Sequence, residues 1–377
     1  MENNNDKKIS HKIINALGLK IIDLYIIRKF LGTFVYSIVL ILAIAVVFDL
    51  SEKIDDFIEN SAPAREVVFD YYLNFIPYFA VLFSSLFTFI SVIFFTSKMA
   101  YNTEIIAILS SGVSFRRLLL PYFISASVIT IFAFSLSNFV IPKANKTKLE
   151  FEEKYIHKRP QSFNRKNIHK QVEPGVFIYL ESYSTVSQTG YNFSMEKFAD
   201  GKLISKTMAD QIAWDTTKNT WVMRRYYMRD IDGLNETISE GSSLDTVIKL
   251  LPGDFSRRLN AVEAMSFKEL NEFIEVSRMQ GETNLTAYLI ERYKRTAFPF
   301  STFILTLIGV TVSSKKVRGG IGAQLGVGLG VSFGYILFMQ FSSQFAIGGS
   351  LPPLLAVWLP NLIFAVVALF LYKLAPK

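Results

Sequence analysis

Apolar residues in this chain gather into long uncharged stretches toward both ends, and between them lies a section in which apolar and polar positions alternate. Uncharged runs extend from Phe30 to Phe48, closed by Arg28-Lys29 before and Asp49 after, from Tyr71 to Ser97, from Leu118 to Pro142, and between Arg295 and Lys315. From Gly319 to Tyr372 no residue is charged, and Gly348-Gly349-Ser350 with Pro352-Pro353 breaks that run near its middle. A hydrocarbon core of about 30 Å takes roughly 20 residues of helix. The pattern therefore predicts six transmembrane helices, with the last long run divided in two.

Residues 143 to about 290 read differently. Phe177-Ile178-Tyr179-Leu180 follows a Pro174-Gly175 turn, Tyr191 to Phe198 alternates before Ala199-Asp200-Gly201, and Ile212 to Asp215 precedes a turn at Thr216 to Asn219. Trp221 to Arg229 leads to Asp232-Gly233, and Leu244 to Leu251 ends at Pro252-Gly253. Short alternating runs with turn residues at regular spacing predict an antiparallel sandwich or jelly roll inserted between helices three and four. The charged cluster from Lys154 to Lys170 reads as a solvated loop. Ser266-Phe267-Lys268-Glu269 has capping-box spacing, so a helix is expected from there to just before Gly281, and another from about Asn284 into the fourth span. The chain thus divides into 1–142, 143–290 and 291–377.

Between the second and third spans, Lys98 to Arg117 holds Ile105, Ile106 and Leu109 at helical spacing. Asn102 or Thr103 can cap the start and Gly112 can close the end, which predicts a short amphipathic helix over about 102–112. Such a helix either lies in the lipid interface or protrudes to dock on a partner.

Charge adds orientation. Lys7, Lys8, Lys12, Lys20, Arg28 and Lys29 precede the first span. Lys98, Arg116 and Arg117 follow the second, and Lys315, Lys316 and Arg318 follow the fourth. All of these, with Lys373 and Lys377, fall on one side of a six-span chain, while segment 49–70 carries two basic residues against seven acidic ones. By the positive-inside rule both termini are expected in the cytoplasm and the inserted domain outside it. The first apolar run reads as a retained anchor, being too long for a signal-peptide core and lacking a small-x-small cleavage site. With half of the 377 residues hydrophobic, membrane insertion is the expected state. The net charge of +8 lies largely in the cytoplasmic flanks and calls for no nucleic acid.

What the spans lack narrows the mechanism. None contains Asp, Glu, Lys, Arg or His, groups that ion-coupled transporters keep at membrane depth. No G-x-x-x-x-G-K-[ST] loop is present, so the chain has no P-loop of its own. There is no cysteine, His11, His157 and His169 lie outside the spans, and no G-x-S-x-G nucleophile appears. Neither a metal site, a cofactor nor an enzyme activity is indicated. Gly322, Gly326, Gly330 and Gly334 form three overlapping G-x-x-x-G steps in the fifth span, a face that permits close backbone approach; the seam is either internal to the chain or shared with another subunit. Pro299 and Pro360 are expected to bend their helices. Lys143, Lys146, Lys148, Lys294 and Arg295 stand at the outer boundary, where they are either phosphate ligands or snorkelling anchors.

The run Asn102 to Arg117, with Tyr25-Ile26-Ile27-Arg28-Lys29-Phe30-Leu31 before the first span, resembles the LptF/LptG (YjgP/YjgQ) permease family of lipopolysaccharide exporters. Pro252-Gly253-Asp254-Phe255, Met265 to Leu270, Glu291 to Phe300, Leu351-Pro352-Pro353 and Trp358-Leu359-Pro360-Asn361 extend the resemblance over nearly the whole chain in family order. Ser51-Glu52-Lys53-Ile54-Asp55-Asp56-Phe57 resembles the Bacteroidetes branch. The resemblance implies an inner-membrane ABC exporter in which two such permeases pair, recruit a cytoplasmic ATPase dimer and pass lipopolysaccharide to a periplasmic jellyroll bridge. Asn102, Glu104, Ile105, Ile106, Leu109, Gly112, Arg116 and Arg117 would then form the ATPase-coupling element, helices one and five would line a lateral gate in contact with membrane lipids, and the inserted β-jellyroll would shelter acyl chains. The competing expectations are an envelope scaffold or sensor without transport, and an exporter of another lipid or of lipoprotein.

Overall fold

The computed structural model describes residues 19–156, 165–256, 259–282, 284–315 and 320–375. Lys7, Lys8, His11, Lys12, His157, Lys316, Arg318 and Lys377 lie outside the described residues. In chain order the helices are α1 (Ile21–Glu59), α2 (Ala64–Tyr101), α3 (Glu104–Ser110), α4 (Phe115–Tyr155), α5 (Pro252–Ser256), α6 (Phe267–Met279), α7 (Leu285–Ser313), α8 (Gly320–Ile347) and α9 (Pro353–Leu374). Among the described residues, six of them (α1, α2, α4, α7, α8 and α9) are long and apolar enough to cross a membrane. Between α4 and α5 lie six strands, β1 (Arg165–Glu173), β2 (Val176–Ser184), β3 (Thr189–Ala199), β4 (Lys202–Asp215), β5 (Thr220–Asp232) and β6 (Asn235–Thr246). The protein is a membrane helical fold with an inserted β domain. It forms two compact units, one comprising residues up to Lys148 together with Ile290 onward, the other Leu149–Leu289.

The helical unit packs around α2. Phe30 of α1, Phe95 of α2 and Tyr122 of α4 meet ring to ring, with centroids 5.7 Å apart for Phe30–Phe95 and 5.3 Å for Phe95–Tyr122. A second cluster joins Phe89 and Ile93 of α2 to Leu305 and Ile308 of α7, Tyr335 and Met339 of α8, and Ala368 of α9. In lipid, apolar contact alone does not distinguish partner helices, and polar bridges pin them. Ser85 of α2 and Ser301 of α7 lie 2.7 Å apart. The Asn361 carbonyl oxygen on α9 accepts from the Tyr335 hydroxyl of α8 at 2.8 Å, and its amide donates to the Ala297 carbonyl of α7 at 2.9 Å. Pro299 and Pro360 sit inside α7 and α9. Proline removes one helical N–H, and near Pro299 neighbouring helices supply donors, Asn361 at Ala297 and Thr130 to the Pro299 carbonyl at 3.2 Å.

The expected break at 348–353 is a turn with Pro352 at the N-cap of α9 and Pro353 at its first helical position, the place where a missing amide costs least. The acidic stretch after Phe48 is more regular than its charge suggests. Helix α1 continues through it to Glu59, with Lys53 and Asp49 paired one turn apart at 2.7 Å.

Each strand of the sheet lies beside its sequence neighbours, in the order β1 to β6. The insertion is thus antiparallel and β-rich as expected, and its connectivity among the described residues is that of a meander. The physical reason is turn length, because two- to four-residue loops can join only adjacent antiparallel strands. Gly175 shows how tightly one turn is built: its φ is +77° and an added Cβ would stand 2.5 Å from the Phe198 carbonyl oxygen, so only glycine fits. Three strand expectations change. β1 takes in residues 165–170 of the charged cluster, which is therefore strand and not solvated loop there, and its Lys170 is buried and paired with Glu282 at 3.2 Å. β4 begins at Lys202, well before Ile212. The run Leu244 to Leu251 is strand only to Thr246, and residues 247–251 leave the ladder. The capping box holds: the backbone amide of Glu269 donates to Ser266 Oγ at 3.3 Å and that of Ser266 to Glu269 Oε2 at 2.7 Å.

Regular alternation would put every second residue on one face, yet here the inward parity flips partway along the strands. On β2 the buried residues are Ile178, Leu180 and then Tyr183; on β4 they are Ala209 and then Ile212. The flips align along Asn167, Glu181, Asn192, Asp210, Arg225 and Ser242, one residue per strand, across which the pairing register is unchanged. Asn167, Asn192 and Arg225 have φ near +50°. A left-handed residue on alternate strands creases a sheet without an inserted residue. Arg225 and Asp210 pair across this line at 2.8 Å, and Asn192 donates to Glu181. The crease lets side chains from both halves of the strands face one apolar interior.

Candidate functional site

The region around α3 is built from both ends of the sequence it joins. Thr103, at φ +63°, turns the chain sharply out of α2, and Gly112, at φ +88°, turns it back toward α4. Ile105 and Ile108 are buried, Leu109 packs against them, and Ile106 is 53% exposed. At 100° per residue, positions i, i+3 and i+4 share a face, so the inward stripe is Ile105, Ile108 and Leu109, and Ile106 points away from the chain. Glu104 accepts from the Tyr25 hydroxyl at 3.2 Å and from the Asn102 amide at 3.3 Å. Arg116 is exposed. Arg117 is committed elsewhere: it grips Asp23 of α1 with both guanidinium nitrogens, at 2.7 and 2.5 Å. Asp23 is buried, and its Oδ2 also accepts from the Lys20 amide at 2.7 Å. Sequence reasoning missed Asp23, about two helical turns before the apolar run, and the pairing of Tyr25; both meet residues far along the chain.

At the other end of α1, a cation cluster surrounds one aromatic ring. Lys53 lies 4.9 Å from the Tyr71 ring centroid and donates to its hydroxyl, and Lys148 lies 6.0 Å from the same ring and 5.7 Å from that of Phe75. Asp49 anchors Lys53. Tyr71 sits in a π-helical turn, Val67–Tyr72, and is fully buried. The five boundary residues expected from sequence therefore differ in circumstance. Lys143 and Lys146 are exposed, Lys148 is half-buried over the aromatic platform, Lys294 is half-buried, and Arg295 is buried with its Nε 3.4 Å from Glu291. Lys53, which sequence reasoning left in an acidic segment, joins Lys148 at the platform.

Along α8 the glycines divide into two sets. A Cβ added to Gly322, Gly326, Gly330 or Gly334 would meet nothing within 4 Å, whereas one on Gly328 would strike Ile93 of α2 at 2.3 Å. The internal seam is therefore made by Gly328, and the four-glycine face points outward.

The apolar interior of the β domain is lined by Ile178, Leu180, Phe193, Ile212 and Trp221 and is filled by Ile248, Leu250 and Phe255, leaving about 10 Å³, scarcely room for one water. Tyr183 stacks on Phe255 at 4.5 Å between centroids. Its side chain is fully buried and its hydroxyl has no hydrogen-bond partner among the described residues, at a cost of about 1–3 kcal/mol. Burial pushes its pKa up to about 12.

Compared with known protein families, residues 24–374 match the one described as lipopolysaccharide export system permease LptF/LptG. No individual curated protein matches.

Proposed function

The chain belongs to the LptF/LptG family of lipopolysaccharide export permeases, a family of transporter subunits rather than enzymes, and from that premise we propose that it is one transmembrane half of an ATP-driven extractor in the inner membrane. In this reading both termini and α3 lie in the cytoplasm and the β domain in the periplasm. A cytoplasmic ATPase dimer docks on α3, a second homologous permease packs along the glycine face of α8, and lipopolysaccharide leaves the bilayer for a periplasmic jellyroll bridge.

The observation that carries this reading is α3 itself. A short helix is fastened from within by Ile105 and Ile108, braced by Tyr25 on Glu104, and presents an unburied isoleucine, Ile106. A mobile surface loop would need no such fastening, and the exposed Ile106 gives the outer face of the helix an apolar point of contact for a partner. Pushing on α3 would move α1 and α4 through Tyr25 and the Asp23–Arg117 clamp. Ile106→Glu is expected to weaken copurification of the ATPase at least tenfold, about 1.4 kcal/mol, with membrane insertion unchanged. Undiminished copurification would refute the docking role. Depletion of the protein that left surface lipopolysaccharide intact would favour a scaffold instead.

The Lys53–Lys148 platform supports a role in headgroup recognition. Two ammonium groups over buried rings are partly stripped of water, which strengthens pairing with a phosphate. The four-glycine face supports pairing with the second permease, because bare backbone is what close helix contact in lipid requires. Gly326→Leu with Gly330→Leu is expected to leave this chain folded, since nothing internal touches those positions. Recovery of the paired permease by affinity purification should fall at least tenfold.

A further inference from the structure

The interior of the β domain holds a contradiction that its fold alone does not resolve. A trough formed by a creased sheet is closed by the chain itself: Ile248, Leu250 and Phe255 project into it, while Val247 and Leu251 stay exposed and Lys249 reaches Glu173 at 3.0 Å. That in–out alternation is strand-like, yet residues 247–251 belong to no ladder. The Leu250 carbonyl accepts from the Trp221 indole N–H at 2.8 Å. The ring of Tyr183 lies 6.4 Å from that of Trp221, and its hydroxyl, equally buried, has nothing to donate to among the described residues. A buried hydroxyl without a partner is an exception that needs an explanation, and this one adjoins the segment that fills the trough. The lining thus offers carbon surface and the Trp221 donor, satisfied by a carbonyl, and behind Phe255, which stacks on its ring, the Tyr183 hydroxyl is a second donor that waits for an acceptor. Lys170, 5.8 Å from the Phe255 ring, is held by Glu282.

We propose that residues 247–255 are a displaceable strap that occupies the place of a lipid acyl chain, and that Trp221 and Tyr183 donate to the ester or amide carbonyls of the chains that displace it. Three apolar side chains in a row reproduce the carbon surface of an acyl chain, and the Leu250 carbonyl stands in for the linkage oxygen. Leaving the trough breaks no β-ladder bond of residues 247–251. With the strap seated, the domain carries no exposed apolar trough; with it released, the same lining receives the lipid. The inference rests on the export reading in one respect, that an acylated lipid reaches this domain.

Hydrogen–deuterium exchange of the full chain in nanodiscs tests the strap without substitution, with two probes added separately, purified lipopolysaccharide and free palmitate. Exchange in the peptide covering 247–251 should rise at least fivefold as either probe saturates, while amides of β2 and β3 become more protected. Protection of β2 and β3 without loosening of 247–251, or no response of either segment to either probe, overturns the strap. Loosening by palmitate but not by lipopolysaccharide upholds the strap and counts against lipopolysaccharide as the cargo. A second arm uses Trp221→Phe, which removes the N–H that holds Leu250. Basal exchange of 247–251 should rise about threefold there, and an unchanged rate would again count against the strap.

Discussion

Replacing Asp23 by alanine is expected to cost about 3 kcal/mol of stability, the largest effect of any single substitution at the α3 end of the chain. Two losses combine. The Lys20 amide loses the carboxylate that caps the start of α1, about 1 kcal/mol for a typical cap. Arg117 loses both of its short contacts and is left facing a site from which most water is excluded. Stranding a fully buried charge costs about 3–5 kcal/mol, but Arg117 keeps 30% of its side chain exposed and can recover part of its hydration, so about 2 kcal/mol is the fitting share. Asp23→Asn separates the two, because an amide oxygen can still accept from Lys20 while the charge is gone. It should recover roughly a third of the loss. Thermal unfolding in detergent, followed on both variants, checks the order wild type, Asn, Ala. If Asn and Ala were equally damaging, the cap would carry none of the effect. If the charge-reversed pair Asp23→Arg with Arg117→Asp were no better than either single change, the clamp would not be the cause.

Asn361→Leu is expected to cost about 2 kcal/mol and to loosen α9 from α7 and α8. Leucine keeps the branching of asparagine, but its methyl groups need wider spacing than a hydrogen bond, so the loss of hydrogen bonds comes with a small outward shift of α9. The Ala297 carbonyl, 2.9 Å from Asn361, would lose its side-chain donor, and the Tyr335 hydroxyl, 2.8 Å from Asn361, would lose its acceptor and keep only Ser301 beside it. Polar contacts between membrane helices are worth roughly 0.6 kcal/mol on average, with a maximum near 1.7. Two of them at a site only 2% exposed belong at the upper end. Adding Tyr335→Phe to Asn361→Leu removes the hydroxyl left without that acceptor and should restore about 1 kcal/mol. Proteolysis of the α8–α9 turn reports the loosening: cleavage should quicken in the single variant and slow again in the double.

How much of this could be seen from the residues alone depends on whether a feature is written locally. The six spans are, because about 20 apolar residues in a row have few uses other than crossing lipid. The capping box at Ser266 is too, since both partners lie within one turn. β1 is not: Arg165–Glu173 carries charge at nearly every other position, and only Ile168 and Val172 show where it faces. The strap reads as strand because its side chains alternate, and what it lacks is a ladder partner, which no run of residues records. At α3 the helical spacing was legible but the inward face was not, because Ile105 and Ile106 are equally apolar and only packing decides between them. Asp23 pairs with Arg117 across 94 residues, and Lys53 meets Lys148 over a ring that a π turn buries. The sheet crease depends on backbone angles at Asn167, Asn192 and Arg225, residues whose chemistry does not distinguish them from ordinary outward positions.

The two sets of glycines on α8 divide the labour of the helical unit. Behind Gly328, α2 and α7 form a keel, riveted by hydroxyls and filled with interlocking rings, and the apolar middle of α7 is mostly buried where those of α1 and α8 are mostly exposed. Among the described residues, helix α8 is held on one side only, by Gly328, Tyr335 and Met339, and its other side carries the four bare glycines. Sliding or parting along the four bare glycines would cost this subunit none of its own contacts at those positions, so the stiffness of that seam is set by whatever lies across it.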